Sequence, residues 1–231
     1  MVYVALVKVK LPFFSIRNPE SFQVGLSLPI PPPSTLIGSL AYALAVEKGL
    51  GSKDALNEAR NSVILARATL VATAPAIPNS VLLWRYRILD KKGEVLKLLK
   101  SKENDYTGFK RELELKFKDA LHREYLFISD IVAAYILRKR IDAGTFSLIP
   151  RLGDTESLCS IGDVKILSCN EIRAIKIRTS YPFKYNAEMI KGVKGDFMFL
   201  RMTDELRAMK PFVVPIRRKF IELSLIHISE P

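Results

Sequence analysis

The sequence predicts an α+β fold, and three observations support that class. Residues 2–11 alternate apolar and polar side chains, the pattern of a half-buried strand. Residues 29–45, PIPPPSTLIGSLAYALA, place a stiff proline run directly before an apolar helix with many small residues. Later segments rich in β-branched residues return to the strand pattern. Strand and helix patterns therefore follow one another along a single chain.

The first helix is marked in the sequence at both ends. Residues 31–33 are prolines, which fix φ and lack N–H groups, so the chain should enter as a rigid extended arm. We expect Ser34 to be the N-cap, and Lys48 with Gly49 to end the helix. The helix is apolar nearly all round, which predicts that it is buried. Residues 53–60 should extend it as a second, exposed turn.

Two further strands and an insertion follow the helix. Residues 62–73 are β-branched and apolar, which predicts a central strand that Pro75 and Pro78 end. Between residues 79 and 126 basic and acidic side chains crowd together, which predicts an inserted extension of turns and short amphipathic pieces. Residues 128–138 predict another strand.

The remaining chain completes the predicted topology. Gly153 and Gly162 are expected to bracket a loop, and residues 163–178 alternate as a last strand pair. The order is strand, helix, strand, insertion, strand, loop, strand. It is the order of a ferredoxin-like (RRM-like, split βαβ) plait.

We expect three parts along the chain. Residues 1–178 would form the ferredoxin-like domain, with residues 79–126 inserted in it, and residues 179–223 a small β-rich C-terminal subdomain. The tail at 224–231, SLIHISEP, resembles translated sequencing adapter, so we suspect that it is non-native and exclude it from the fold. An ordinary terminal strand is the alternative.

The charge of the chain indicates a polyanionic partner. It carries 36 Lys and Arg against 24 Asp and Glu, a net charge of +12 that is spread along the sequence. A distributed surplus favours a folded surface that follows a phosphate backbone, with solubility as the plain alternative. We find no membrane-length apolar run and no signal sequence, and expect a cytoplasmic protein. Cys159 and Cys169 are expected to be buried thiols.

The sequence shows little catalytic chemistry. It contains no HExxH, no GxxxxGK phosphate loop and no GxGxxG after a strand. With His227 of the tail set aside, His122 is the only histidine, which leaves no Ser-His or two-histidine mechanism. Carboxylates two apart, such as Asp154 and Glu156, do not indicate a metal cluster. We therefore expect neither a cofactor nor a metal site.

Four short motifs together resemble one protein family. They are the proline-helix stretch at residues 29–45, RLGDTES at 151–157, SYPF at 180–183 and VPIRR at 214–218. The pattern resembles the CRISPR-associated Cas-five family, the RAMP-type subunits of type I Cascade complexes, and is most similar to its archaeal type I-A branch. The resemblance implies a ferredoxin-like RNA-binding domain in which the insertion at residues 79–126 is a thumb hairpin.

The charge and this resemblance indicate where RNA would bind. We expect the helix N-terminus to face the Gly153 loop, since both can hold phosphate through backbone N–H groups. Aromatic and cationic residues interleave in WRYR at residues 84–87, a composition typical of base-stacking surfaces, although edge-strand packing explains it equally well. The candidate RNA-binding residues are Arg17, Ser34, Thr35, Trp84, Arg85, Arg87, Arg138, Lys139, Arg140, Arg151, Gly153, Asp154, Thr155 and Ser157.

The resemblance implies a noncatalytic crRNA-binding subunit of a type I Cascade effector in antiviral defence. Such a subunit would cap the 5′ handle of the crRNA and contact the backbone and large subunits. With the large subunit it could also touch the target DNA duplex. A generic RNA chaperone outside any assembly is a second possibility, and would be a stable monomer.

The alternative from the enzyme class is a metal-independent endoribonuclease that processes pre-crRNA. His122, Tyr42 and Lys118 could supply the base, the acid and the cation that this reaction needs. The resemblance points to the same three residue types, since one branch of the family cuts pre-crRNA with a tyrosine, a lysine and a histidine. However, its lysine and histidine are adjacent, whereas Leu121 precedes His122 here.

Overall fold

The computed structural model of the chain describes residues 2–21, 25–71, 76–88, 90–170 and 177–216. None of the helices within these ranges is long and apolar enough to cross a membrane. In chain order, the elements are β1 (Val2–Lys10), β2 (Phe13–Phe14), α1 (Pro33–Lys48), α2 (Ser52–Ser62), β3 (Val63–Leu70), β4 (Ile77–Tyr86), α3 (Lys92–Ser101), α4 (Tyr106–Phe117), β5 (Lys118–Phe127), β6 (Asp130–Leu137), α5 (Ala143–Ser147), β7 (Ser160–Cys169), β8 (Phe183–Lys184), α6 (Ala187–Ile190), β9 (Phe197–Thr203) and β10 (Met209–Pro215).

The main sheet has four strands in the order β3-β6-β1-β7. All three pairings in it are antiparallel, and β1 is hydrogen-bonded to β6 on one side and to β7 on the other. The strands predicted at residues 2–11, 62–73 and 128–138 correspond to β1, β3 and β6. The prediction that residues 62–73 form a central strand is wrong, because β3 lies at an edge of the sheet. The predicted α+β class is confirmed, with antiparallel sheets beside packed helices.

The main core lies between this sheet and α1. Alternate residues of β1 point into it, so that Ala5, Val7 and Val9 are at most 2% exposed. They share one cluster with Leu36 and Leu40 of α1, both fully buried. The period-two pattern of β1 therefore sets which face of the sheet receives the helix.

The start of α1 differs from the prediction. Pro32 occupies the N-cap position and no side chain caps the helix. Ser34 lies inside the first turn, and its hydroxyl is hydrogen-bonded to the hydroxyl of Thr203. The prediction of a Ser34 cap is wrong because Pro33 at the first helical position has its φ preset and no N–H to satisfy.

The later part of α1 confirms one prediction and corrects two. Gly49 has a φ of 64° and ends the helix, as predicted. The segment after it does not extend α1, because α2 is a separate helix that packs beside α1. Nor is α1 buried all round, since Tyr42 and Val46 are 49% and 54% exposed.

The insertion is a long antiparallel hairpin of β4 and β5, with α3 and α4 between the two strands. It is more regular than the turns and short pieces that the sequence predicted. Pro78 does not end the preceding strand, because it lies in β4 opposite Leu126. Proline is tolerated there because β4 is an edge strand, so its missing N–H breaks no second ladder. Pro75 lies outside the described residues.

The last strand of the main sheet also differs from the prediction. β7 starts at Ser160, so Gly162 lies inside the strand rather than at the end of a loop. A Cβ on Gly162 would lie 3.5 Å from the backbone oxygen of Lys8 on β1, an ordinary contact. Of the predicted pair at residues 163–178, only β7 is described, and residues 171–176 lie outside the described part.

The C-terminal part forms a second sheet of three antiparallel strands in the order β8-β10-β9. It has its own small core of Leu28, Ile30, Met202, Phe212 and Val214. A β-rich unit was predicted here, and the domain boundaries themselves stay a prediction. The suspected tail at residues 224–231, with His227, lies outside the described part of the chain.

A buried ion pair joins the second sheet to the first. Arg67 on β3 is only 4% exposed and is paired with Glu205, which follows β9. The same guanidinium donates to the carbonyl of Ala66 at 2.6 Å and stacks 5.1 Å from the ring centroid of Phe212. Burial raises the pKa of Glu205, but the hydrogen bond and charge of Arg67, together with backbone N–H donors, hold the pKa below its ordinary value. The pair thus docks the C-terminal sheet on the edge of the main sheet.

We expect Arg67→Met to destabilise the protein by about 3 kcal/mol, because it removes the buried partner of Glu205 and leaves only the more distant ammonium of Lys184, at 3.6 Å. Thermal unfolding monitored by circular dichroism measures the loss. In the wild type, the pair contributes fully above pH 4.5, the ordinary pKa of Glu205, and its contribution is lost as pH falls through the lowered folded-state pKa.

The control for this prediction is the double variant Arg67→Met/Glu205→Leu, which removes both charges. It should recover most of the lost stability, since no unpaired charge remains. Equal destabilisation of the single and double variants would show that the unpaired carboxylate of Glu205 is not the cause of the lost stability.

Candidate functional site

A cleft of about 680 Å³ lies where α1, the loop before β7 and the turn between β9 and β10 meet. The structure brings Ser34 and Thr35 together with the Gly153 loop, as the sequence predicted. The cleft also contains residues that the sequence did not point to. Its lining residues are Ser34, Thr35, Gly38, Ser39, Tyr42, Pro150, Arg151, Gly153, Thr203 and Arg207.

One stripe of α1 forms a wall of the cleft. Ser34, Gly38 and Tyr42 are spaced four residues apart and so lie one above another on the helix. Gly38 has no side chain, and nothing lies within 4 Å of where its Cβ would be. A ligand can therefore approach the helix backbone between a hydroxyl and a half-exposed tyrosine ring.

The N-terminus of α1 offers fewer backbone N–H groups than predicted. Pro33 has none, and the N–H of Thr35 already donates to the carbonyl of Pro32 at 3.0 Å. The hydroxyl of Ser34 is shared with Thr203 of the second sheet. This end of the cleft thus presents hydroxyl groups more than a row of free amides.

The loop at residues 151–158 is held in a single shape by internal hydrogen bonds. The N–H of Leu152 donates to the carbonyl of Ser157, and the N–H of Ser157 to that of Asp154, both at 3.0 Å. Gly153 has a φ of 135°, and a Cβ there would lie 2.9 Å from the Ser157 hydroxyl. Glycine is required at this position by both conformation and space.

Burial contradicts one of the predicted RNA contacts in this loop, and a second has its backbone N–H used inside the fold. Ser157 is fully buried, and its hydroxyl accepts a hydrogen bond from the N–H of Ser15 at 3.1 Å. The hydroxyl of Ser157 therefore stabilises the loop from inside the fold. The N–H of Asp154 donates to the Ser15 carbonyl at 3.1 Å, so it too is used inside the fold. Thr155 is exposed at the loop tip.

Arg123 of β5 connects this loop to the hairpin. Its guanidinium lies 3.2 Å from the carboxylate of Asp154 and 2.8 Å from that of Glu156. Burial raises the pKa of Asp154, and the positive charge of Arg123 opposes that shift. Because both carboxylates face Arg123, they fix the loop against the hairpin. The sequence did not point to this residue.

Two arginines give the cleft its charge. Arg151 and Arg207 are exposed on its walls, and within the described ranges no carboxylate forms an ion pair with either side chain. Arg151 was predicted, whereas Arg207 and Thr203 were not. The turn that carries Arg207 has no local signal for binding, since only the docking of the second sheet brings it to α1.

The basic run after β6 lies away from this cleft. Lys139 pairs with Glu58 at 3.0 Å, and Arg140 lies 3.9 Å from Asp142. Arg138 lines a separate cavity of about 230 Å³. The structure does not join these three residues to Arg151. Arg17 is exposed beside Ser27 and is not among the cleft residues either.

The interleaved residues on β4 make local contacts. Trp84 is 61% exposed, and the ammonium of Lys118 lies 4.5 Å from its ring centroid. Arg87 and Arg85 both contact Asp119, at 2.9 and 3.4 Å, and the hydrogen bond from Arg87 is the main cause that lowers the pKa of Asp119. The cations are thus paired across the hairpin, and Trp84 keeps an exposed surface.

The three residues of the nuclease alternative are divided between two elements. His122 and Lys118 lie on β5, whereas Tyr42 lies on α1 and lines the cleft. Neither His122 nor Lys118 is a lining residue of that cleft. Lys118 is instead in contact with the ring of Trp84.

Comparison with known proteins agrees with this architecture. A crystal structure of a CRISPR protein from Archaeoglobus fulgidus matches with a TM-score of 0.57 at 19% identity, covering 95% of this chain and 87% of that one. At that identity, the likeness shows a shared fold.

Two curated relatives carry the name CRISPR-associated protein Cas5. The one from Thermoproteus tenax is 26% identical over 215 residues, covering 91% of this chain and 84% of the relative. The one from Methanocaldococcus jannaschii is 28% identical over 198 residues, covering 82% and 74%. Both sources are archaeal.

The family described as CRISPR-associated protein (Cas_Cas5) matches residues 5–199. This range contains the main sheet, the hairpin, α1 and the loop at residues 151–158. The chain therefore belongs to the Cas5 family of CRISPR-associated proteins.

Proposed function

We propose that this protein is a noncatalytic RNA-binding subunit of a type I CRISPR Cascade effector, and that it caps the 5′ handle of the crRNA. The observation that carries the proposal is the cleft with Arg151 and Arg207 on its walls and no ion-pair partner for either side chain among the described residues. Two uncompensated guanidinium groups beside hydroxyls and a tyrosine suit a phosphate backbone with an unstacked base. The net charge of +12 favours the same class of ligand.

We infer that the main sheet and its helices form a ferredoxin-like plait. Four antiparallel strands in the order β3-β6-β1-β7 support this, together with a helical connection from β1 to β3 and another from β6 to β7. In that arrangement, the first half of α1 and the loop at residues 151–158 meet at the cleft. RNA held there would be near both the hairpin and the C-terminal sheet.

The hairpin of β4 and β5 is proposed as the thumb that docks the backbone subunit. Leu96 and Leu99 of α3 are 47% and 49% exposed on one helix face, and Trp84 adds an exposed aromatic surface. A large subunit would pack beside the plait, and the two could contact target DNA. The archaeal relatives support a type I-A assignment, and we expect assembly in the cytoplasm.

The noncatalytic assignment rests on the placement of the nuclease candidates. A general base must reach the proton that it removes, directly or through one water molecule. Tyr42 lines the cleft from α1, while His122 is exposed on β5 of the hairpin. Because Tyr42 and His122 lie on different elements, and His122 is not a lining residue of the cleft, we assign the cleft a binding role rather than a catalytic one.

We expect Arg151→Gln to weaken RNA binding by roughly tenfold, because it removes one charge-assisted contact from the cleft. The measurement is the retention of end-labelled CRISPR repeat RNA in a native gel. Lys53→Gln on α2 is the matched control, since it removes one positive charge from an exposed helix away from the cleft. Equal weakening by both substitutions would contradict a localised site.

Incubation of wild-type protein with the same RNA in the absence of metal should yield no cleavage products. His122→Ala should retain both the binding and the uncleaved RNA, as the imidazole lies on the hairpin. A denaturing gel reads cleavage directly. Cleavage by the wild type that His122→Ala abolishes would replace the scaffold with the endoribonuclease.

The double variant Leu96→Glu/Leu99→Glu should lose co-purification with the tagged backbone subunit while it keeps the wild-type melting temperature. Both side chains are exposed, so charge there opposes docking and leaves the core intact. Leu167→Glu, an exposed leucine on β7, is the control. Undiminished co-purification of the double variant would remove α3 from the interface.

A further inference from the structure

The geometry assigns to Arg207 a direct contact with an RNA phosphodiester, which makes the C-terminal sheet one wall of the RNA cleft. This inference rests on the proposed function and extends it to a part of the chain that carries no predicted RNA-binding residue.

Arg207 is held in a backbone conformation that its residue type disfavours. Its φ is 67°, the left-handed region in which glycine is more stable by about 1 kcal/mol. The N–H of Arg207 donates to the carbonyl of Asp204 at 3.0 Å, and the N–H of Asp204 donates to the carbonyl of Ala208 at 2.9 Å. The turn thus imposes the conformation, and the arginine contributes nothing to it that glycine would lack.

Side-chain hydrogen bonds of Asp204 and Thr203 hold the turn in place, so the backbone position of Arg207 is defined. The side chain of Asp204 accepts hydrogen bonds from the N–H groups of Leu206 and Ala208, each at 3.0 Å. The hydroxyl of Thr203, at the end of β9, is hydrogen-bonded to Ser34 of α1. A long side chain on a fixed turn loses less freedom when it binds a ligand.

The negative charges of the turn are neutralised on the side away from the cleft. Asp204 lies 3.2 Å from the ammonium of Lys184, and Glu205 is paired with the buried Arg67. Arg207 lines the cleft and is exposed, and no carboxylate among the described residues forms an ion pair with it. Its charge is therefore available to an anion.

The opposite wall supplies the second half of the site. Arg151 lines the same cleft of about 680 Å³ from the loop before β7, with the exposed ring of Tyr42 beside it. This volume lies in the range of sites that enclose a small molecule or a single nucleotide. Two guanidinium groups on different walls suit the oxygens of a phosphodiester. The inferred ligand is single-stranded RNA held through its backbone.

The test compares Arg207→Gly, Arg207→Asn and Arg151→Gln with the wild type, using a labelled single-stranded oligouridylate in fluorescence anisotropy at several salt concentrations. We expect Arg207→Gly to weaken binding roughly tenfold and to lower the slope of log Kd against log salt by about 0.7. Its melting temperature without RNA should stay the same or rise, because glycine and asparagine relieve the left-handed conformation. Arg207→Asn should show the same changes in affinity, salt slope and melting temperature as Arg207→Gly.

The possible outcomes separate this inference from the proposed function. Wild-type affinity in Arg207→Gly, with weak binding in Arg151→Gln, overturns the role of Arg207 and leaves the cleft as the RNA site. Wild-type affinity in all three variants removes RNA from the cleft and contradicts the proposed function as well. A lowered melting temperature in both Arg207 variants would show that the arginine supports the turn, which also overturns the inference.

Discussion

The buried ion pair of Arg67 and Glu205 is the interaction on which the arrangement of the two sheets depends. Arg67 belongs to an edge strand of the main sheet, and the carboxylate comes from the turn that ends β9. A buried guanidinium without a partner would be strongly unfavourable, so the C-terminal sheet must dock where Glu205 meets it. That docking brings Thr203 to Ser34 and sets Arg207 on the cleft.

A second set of charges fixes the remaining wall of the cleft. Arg123 lies on the hairpin and holds Asp154 and Glu156, so the loop at residues 151–158 cannot shift without breaking both ion pairs. The hairpin is therefore connected mechanically to the cleft as well as to the main sheet. A subunit that docks on the hairpin would act on the same loop that lines the proposed RNA site. Asp154 and Glu156 thus serve here to hold the loop against the hairpin.

Local patterns predicted the main strands well, and they failed where a distant residue sets the outcome. The alternation in β1 and the left-handed Gly49 depend on near neighbours, so both were predictable. The Ser34 cap was misjudged because the helix already begins at Pro33, and the Ser34 hydroxyl is bonded instead to Thr203, 169 positions away in the chain. The sequence predicted Ser157 as an exposed loop serine, yet the residue is buried and its hydroxyl accepts a hydrogen bond from the N–H of Ser15. Proline in β4 was misjudged because edge position depends on the whole sheet.

The sequence by itself determined the α+β class, the family resemblance, the excess of positive charge and the approach of α1 to the Gly153 loop. The first three follow from periodicity, composition and motifs, which are properties of short stretches of chain, and the fourth follows from the order of the predicted strands and helix. Only the tertiary structure decided which cations remain available. Arg85, Arg87 and Lys139 are paired with carboxylates from other elements, whereas Arg151 and Arg207 line the cleft without such a partner among the described residues. Ion pairing depends on distance in space, and that distance is set by packing between elements far apart in the sequence.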